Sequence, residues 1–591
     1  MAMKKIFCIL LALVMIAAAF AGCAGGGKQS DGSKPESSAA SKADSSGEDS
    51  PNTDSDVPEY LNTESDFPIV KDGYDVTLRA VISQQDGFGS DDPNDYWFIA
   101  WAQQKMNIKL DVELIAGSAL DEKKPLLFAS QTLPDLLWCL SLSSTDMVTY
   151  GQNGGLLLDL KPYINEHNTP HILQWFDAFP EAEQIVTCLN GAVYTLPGIG
   201  DASDIGDFAS RSFVNKKWLD DNGMKMPETI DEYTEMLRAY KEANPDLIPL
   251  GGSYENDNPG VVLLSGLGFI TTDPLGVSPA LRNGEAVIPA ANADYREYLS
   301  TMKTYYDEGL IARDFFTMDS TETQALAAEK QHVAMATVPY LVLPEAEDFK
   351  EYVSTNPLTS DMNSEKVWPV ASRYSIGQLS VAANCKYPEV AVRFADFFFS
   401  DMGHIYKWSG PMEGSEDTLG MVDGWFVEQN DDGSYTFDVR DVRDGKYDNR
   451  WVYYISAIIP SGGILGIGNC TISMFEDQDT GYLDNCKFAG IEWKRPLSLD
   501  DGDQNFRATQ LEYQAPYAHE GYPSILYFTE EQNARLSDLK TVIDAYIKTE
   551  TARFITGVRP LDDFDTYLNE LETLGLSEYL GFYTDYYAQL K

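Results

Sequence analysis

Cations are scarce in this chain: 43 Lys and Arg stand against 92 Asp and Glu, for a formal charge of -49. The deficit runs along the whole length, which argues against nucleic acid as a partner, because phosphate binding needs clustered Lys and Arg. Histidine is nearly absent, with five residues in 591. His167 and His171 are four apart, but Pro170 lies between them and no HExxH pattern exists, so a solvated turn is the default over a metal pair. The seven cysteines contain no CxxC pair, which leaves neither a zinc ribbon nor a redox motif. Cys8 and Cys23 lie near the start. Cys139, Cys188, Cys385, Cys470 and Cys486 are widely spaced, and a Cys470–Cys486 bridge is an alternative to free thiols throughout. A GxSxG nucleophile elbow and a GxxxxGK[ST] phosphate loop are both missing. Gly462 to Gly468 is glycine-rich without dinucleotide spacing and reads as a loop or a close backbone approach. After the N-terminal segment no apolar run is long enough to span a bilayer.

What is present begins with that N-terminal segment. Lys4 and Lys5 precede an apolar stretch from Ile6 to Phe20, and Phe20-Ala21-Gly22-Cys23 closes it. A basic start followed by a short apolar helix is the logic of a secretory signal. The Ala-Gly-Cys ending resembles the lipobox of bacterial lipoproteins, with Phe20 where Leu is usual. The resemblance implies cleavage of 1–22, acylation of Cys23, and an anchor on the outer face of the cell membrane. An ordinary signal peptide with an incidental cysteine is the alternative. Residues 24–57 are almost all Gly, Ser, Lys, Asp, Ala, Glu and Pro, too polar to offset their ordering entropy, and read as a disordered tether. Fold reasoning starts near Pro58, leaving about 530 residues, a length suited to two domains.

Val76, Leu78, Ala80 and Ile82 alternate as a strand, Tyr96–Met106 reads as a helix, and Ile108–Ile115 alternates again. Trp97 and Trp101, four apart on that helix, read as packing residues. Pro134–Leu140 suits a short buried parallel strand. The order strand, helix, strand indicates an α/β architecture. Thr229-Ile230-Asp231-Glu232 and Thr529-Glu530-Glu531-Gln532 are capping boxes that open helices. Tyr374–Ala383 reads as a strand and a helix starts near Pro388. Leu561–Leu590 is again helical, whereas 410–525 carries only weak strand signals.

Five fragments together carry a family resemblance. Leu133-Pro134-Asp135-Leu136-Leu137-Trp138 resembles the "LPD plus apolar" strand of extracellular solute-binding proteins. Gly154 to Ile164 is similar to their "G-L-L-x-x-L-x-P-Y" turn, and Asn190 to Pro197 to their "dG-x-x-Y-x-L-P" stretch. Phe213 to Leu219, with Asn222-Gly223 and Pro227-Glu228-Thr229, resembles the "N-K-x-x-L" segment. Thr551 to Gly557, with Pro560, Leu561 and Phe564, is similar to the C-terminal signature of a large lipoprotein branch.

The resemblance implies an α/β, two-lobed periplasmic-binding-protein-like (type II) fold with an interlobe ligand cleft, acting as a monomer with the permease subunits of an ABC importer. It places 23–66 as the lipidated tether, 67–205 and 346–400 in the first lobe, and 206–345 and 401–591 in the second. An oligosaccharide is the implied ligand, with no cofactor and no catalytic residue. Some members of the branch carry a calcium loop after the helix equivalent to 229–243. Here Ala243 to Pro249 leaves no room for one, so no metal is expected. Carbohydrate capture needs flat aromatic faces and a few convergent polar groups. The loops at the carboxyl ends of α/β strands select Gln84, Gln85, Asp86, Trp138 and Ser141. Resemblance to maltodextrin binders adds Tyr254, Glu255, Asn256 and Tyr340 in the second lobe. Trp408, Glu413 and Trp451 follow the return from the first lobe. Each aromatic has an alternative role in a core or at a rim. A surface glycoside hydrolase and a sensor or adhesion lipoprotein on the same fold remain as rival functions.

Overall fold

The computed structural model describes residues 57–200, 210–429, 431, 435–447, 449–463, 466–467, 485–488, 491–494, 499 and 502–591. The signal segment, Cys23, residues 24–56 and Cys470 lie outside the described residues. So does the side chain of Cys486. Of the expected 23–66 tether, 57–66 are described, and there Leu61 is fully buried and bridged to Val70. Cys139, Cys188 and Cys385 are free thiols.

The chain first lays down β1 (Thr77–Gln84), β2 (Lys109–Ala116), β3 (Leu136–Trp138) and β4 (Leu196–Ile199). It then forms β5 (Phe213–Asn215), β6 (Leu250–Gly251), β7 (Ala334–Met335) and β8 (Tyr352–Ser354), followed by β9 (Trp368–Val370). It returns with β10 (Tyr374–Val381) and β11 (Gly466–Ile467) and adds β12 (Ala518–Glu520). The first sheet has six strands in the order β11-β4-β10-β3-β1-β2, all parallel except β10. The second has four, β8-β5-β7-β6, and β9 pairs with β12 apart from both. The two sheets have separate cores, which makes the molecule two-lobed.

The first sheet is buried on both faces. Leu78, Ala80 and Ile82 point into one core, and Val81 and Leu137 point into another. This explains the alternation read at β1 and the continuous apolar run at β3. Helix Trp97–Met106 buries Trp97 and Trp101 in stacked contact at 5.7 Å, the packing role its spacing suggests. Phe394 and Phe398, from helix Pro388–Asp396 and the turn after it, meet the Trp138 ring edge-on, each at 5.3 Å. Burying an aromatic of this size contributes about 1.5–3 kcal/mol.

The second lobe is organised around helices. Thr229 caps helix Ile230–Ala243 by accepting from Glu232 N at 3.1 Å, while the Glu232 carboxylate takes Glu228 N. Tyr233 and Leu237 on its inner face pack in one core with Ile543, Ile547 and Phe554 of helix Glu530–Ile555. That long helix carries the full reciprocal box of Thr529 and Gln532. The C-terminal run divides at Gly575, φ +102, into helices Phe564–Thr573 and Leu576–Leu590. Glu550, immediately before the family-like signature, is 4% exposed and held by Arg559 at 2.5 Å and Arg553 at 2.7 Å.

Sheet membership departs from the expected segment boundaries after residue 345. β8 (Tyr352–Ser354) pairs with β5 of the second sheet rather than joining the first. Ile405, Tyr406, Trp425, Val439, Tyr453 and Ile455 share the first lobe's core, and β11 extends its sheet, although 401–591 was assigned to the second lobe. The cause is packing: an apolar face joins whichever core it can cover, and helix Asp401–Ser409 directly follows the Phe397–Phe399 turn of the first core.

Candidate ligand-binding site

The first sheet reverses its strand order beside β1, where β2 lies on one side and β3 on the other. In open α/β sheets, the carboxyl ends of the strands at such a reversal border a crevice. Gln84 and Gln85 leave β1 there, Cys139 to Ser141 leave β3, and the antiparallel β10 enters there with Tyr374 to Gln378.

Three close approaches shape this floor. The Gln85 backbone N–H donates to Pro460 O at 2.9 Å, laying the 460–463 loop across the ends of the strands. Cys139 N–H donates to Gln378 O at 2.7 Å, and a methyl group on Gly463 would stand 2.7 Å from Cys139 Sγ and 3.1 Å from Gln378 Oε1. Burial pushes the Cys139 thiol up to about 12, so it stays protonated despite bonding to Ser461 and facing Lys407. At Gly377, φ is +74 and a Cβ would lie 2.1 Å from Leu142 O, a position open only to glycine. The register of β10 against β4 shifts at this point.

The expected contact residues divide sharply. Gln85, Asp86 and Ser141 are exposed on the floor. Gln84 is half-buried, its amide donating to Ser90 O at 2.9 Å and Tyr96 Oη at 3.2 Å, and Asp86 accepts from Ser118 N at 2.7 Å. Trp138 corrects the expectation: it is 1% exposed, inside the aromatic core, with no face for a ligand. Trp408 is half-buried, its ring 4.5 Å from that of Tyr454, and packs against the core as a support. Glu413 is tied to Arg440 at 2.8 Å. Trp451 is 45% exposed and stands beside Gly462 and Gln85.

In the second lobe, the segments leaving β6 and β7 occupy the equivalent position. Thr337 Oγ1 donates to Asp257 Oδ2 at 2.6 Å, and the Asn256 amide donates to Met318 O at 3.3 Å. Tyr254 is a second correction: it is 6% exposed and belongs to the second core. Glu255 is exposed and pairs with Lys548 at 3.3 Å. Tyr340 is half-buried, 6.2 Å from Phe506, and Leu341 beside it is 66% exposed. Sequence reasoning missed Gln378, Tyr454 and Gly462; of the three, only the glycine run around 462 carried a signal.

The first lobe also holds a cavity of about 470 Å³ remote from this floor, lined in part by Asp66, His171, Arg393, Asp396 and Asp401. His171 Nδ1 pairs with Asp396 Oδ2 at 2.8 Å, and Asp396 Oδ1 accepts from Ile172 N, so the carboxylate caps helix Pro170–Ala178 from another element. After helix Ile230–Ala243 the chain turns tightly into β6, with Lys241 Nζ donating to Leu247 O at 2.8 Å. Among the described residues, no group of three or more His, Cys, Asp or Glu side chains could hold a metal ion.

Comparison with known proteins agrees with this architecture. A fructooligosaccharide ABC transporter substrate-binding protein, FusA of Streptococcus pneumoniae, is 23% identical over 520 residues, 84% of this chain and 88% of its own length. Lipoprotein LipO of Bacillus subtilis is 26% identical over 226 residues, 36% of this chain and 41% of its own. An EF-hand mutant of FusA in complex with fructo-nystose superposes with a TM-score of 0.66 at 18% identity, covering 87% of this chain and 99% of that one. A solute-binding protein for HMO from Bifidobacterium longum infantis gives 0.67 at 18% identity, covering 87% and 98%. The model of the bacterial extracellular solute-binding protein family matches residues 89–405, and this chain belongs to that family.

Proposed function

We propose that this protein is the substrate-binding lipoprotein of an ABC importer and captures an extracellular oligosaccharide between its two lobes. The observation that carries this reading is similarity to a fructooligosaccharide-binding importer subunit along 84% of the chain. The floor of the first lobe supports it, with an exposed indole beside side-chain amides and a carboxylate.

In this reading the first lobe comprises about 58–200 and 374–467, and the second about 213–365 and 502–591, following sheet and core membership. Gln85, Asp86, Ser141 and Trp451 meet the ligand from the first lobe, and Asn256 and Tyr340 from the second. Trp138 and Tyr254 drop out of the set because they are buried, and Glu413 because Arg440 holds it. Acylated Cys23 holds the receptor at the outer membrane face through a tether with a root-mean-square span of about 30 Å, by flexible-chain scaling. Bound sugar is handed to permease subunits without covalent change.

The test is a melting screen of the purified protein against oligosaccharides and peptides, with product analysis of each mixture. A ligand at about 100 times its Kd stabilises the bound state by about 2.7 kcal/mol. Oligosaccharides should raise Tm and be recovered intact. Shifts with peptides alone would sink the sugar assignment, and released fragments would make the protein a hydrolase.

A further inference from the structure

Trp451 lies on a one-turn helix, Arg450–Tyr453, whose start is capped by Asn449 accepting from Val452 N at 2.9 Å. The ring is 45% exposed, yet it is braced. Tyr454 stands 5.6 Å from it and packs in turn on Trp408 at 4.5 Å. The Tyr454 hydroxyl donates to Gly463 O at 3.3 Å, tying the aromatic stack to the 460–463 loop. The edge of the indole lies on Gly462, where an added methyl would stand 2.8 Å from Cη2 and 3.1 Å from Cζ2. That methyl would also lie 3.5 Å from Gln85 Oε1, so an exposed amide flanks the ring. No described residue takes the Trp451 indole N–H or the Gln85 side-chain amide in a hydrogen bond.

This is the chemistry a saturated sugar ring needs: a fixed aromatic face for its C–H surface and free donors and acceptors at the edge for its hydroxyls. The charges beside it disfavour an anionic ring. Asp86 is exposed on the same floor, Lys407 is 1% exposed, and Lys124 is engaged with Asp146 at 3.3 Å. Among the described residues 84–86, 139–144 and 449–463 the one cation is Arg450, which is paired with Asp438 at 3.7 Å, so a uronate carboxylate would meet Asp86 with little to offset the repulsion.

We infer that Trp451 is the platform on which an uncharged sugar ring stacks, and that Gly462 is the specificity-determining residue that sets where the platform lies. This inference rests on the oligosaccharide reading of the site. A larger residue at 462 pushes the indole off the loop without removing it. Gly462 has no positive φ, so Gly462→Ala changes the ring position and not the backbone.

The test titrates the full chain and its Trp451→Ala, Trp451→Phe and Gly462→Ala variants calorimetrically. The probes are neutral fructo-, malto- and xylo-oligosaccharides and, as charged counterparts, alginate oligosaccharides. Melting curves of the free variants establish that each is folded. A neutral oligosaccharide should bind the native protein, with affinity falling at least about tenfold in Trp451→Ala and in Gly462→Ala, and less in Trp451→Phe. Unchanged affinity in folded Trp451→Ala overturns the platform, and unchanged affinity in Gly462→Ala alone overturns the role of the glycine. Binding confined to alginate oligosaccharides overturns the neutral-ring assignment while leaving the oligosaccharide reading intact. Binding of no saccharide in either set overturns that reading and the inference together.

Discussion

Acidification should destabilise this protein through one imidazole. His332, just before β7, is 2% exposed; its Nδ1–H donates to Ile248 O at 2.7 Å. Its Nε2 is buried with no hydrogen-bond partner among the described residues, and Gly251 abuts the ring so closely that a methyl there would stand 2.4 Å from Cδ2. Burial therefore pushes the group from 6.5 down to about 4, with the bond to Ile248 opposing that only in part. Above about pH 6.5 the imidazole is neutral in both folded and unfolded chains. As pH falls below that value the unfolded chain binds a proton and the folded one does not, so stability is lost until the folded group also titrates near 4. At about 1.4 kcal/mol per pH unit, the window from 6.5 to about 4 is worth about 3 kcal/mol. The assay is urea unfolding at intervals from pH 7.5 to 4 for the native protein and His332→Asn, whose amide N–H replaces Nδ1–H. Carboxylate effects and His171 are common to both proteins. The His171 contribution has the opposite sign: burial lowers its proton affinity, the bond to Asp396 and nearby carboxylates raise it, and the net direction is up. The native protein should lose about 3 kcal/mol more than the variant across the window. A difference between the two that stays flat with pH would refute the reasoning.

Gly377→Ala places a Cβ 2.1 Å from Leu142 O and 2.4 Å from Leu142 N at φ +74, and neither backbone atom can swing away. A loss of about 3 kcal/mol or more is expected in chemical denaturation, and a variant within about 1 kcal/mol of the native protein would contradict that geometry. Arg559→Met strips the buried Glu550 carboxylate of one of its two cations and should cost about 3 kcal/mol, at the low end for a broken buried pair because Arg553 remains. Adding Glu550→Leu should recover much of that loss; a double variant no more stable than Arg559→Met would mean that the stranded charge is not the cause.

Much of the fold is written in local pattern. The alternation of β1, the caps at Thr229 and Thr529, and Pro388 at the head of its helix all act over a few residues, and the structure has them there. The ordered family-like fragments likewise lead from sequence alone to the solute-binding family. The candidate site was legible only in outline: the ends of β1 and β3 follow from the rule for α/β sheets, but the fate of each aromatic on them does not.

Trp138 and Trp451 make the physical reason plain. Trp138 sits inside an apolar run and Trp451 at the head of one, after the polar Asp448-Asn449-Arg450, yet local sequence does not say which ring the fold will cover. Trp138 is sealed by Phe394 and Phe398, more than 250 residues away, whereas Trp451 is left open because Gly462 has no side chain and Tyr454 braces the ring from one side. The lobe assignment of 346–467 turned on the same kind of cause, since a strand joins the sheet whose edge it meets and a helix the core it covers. The sequence by itself determined the acidic character, the signal-like start, the local elements and the family. Only the tertiary structure decided which apolar faces are buried, because burial depends on contacts between residues far apart in the chain.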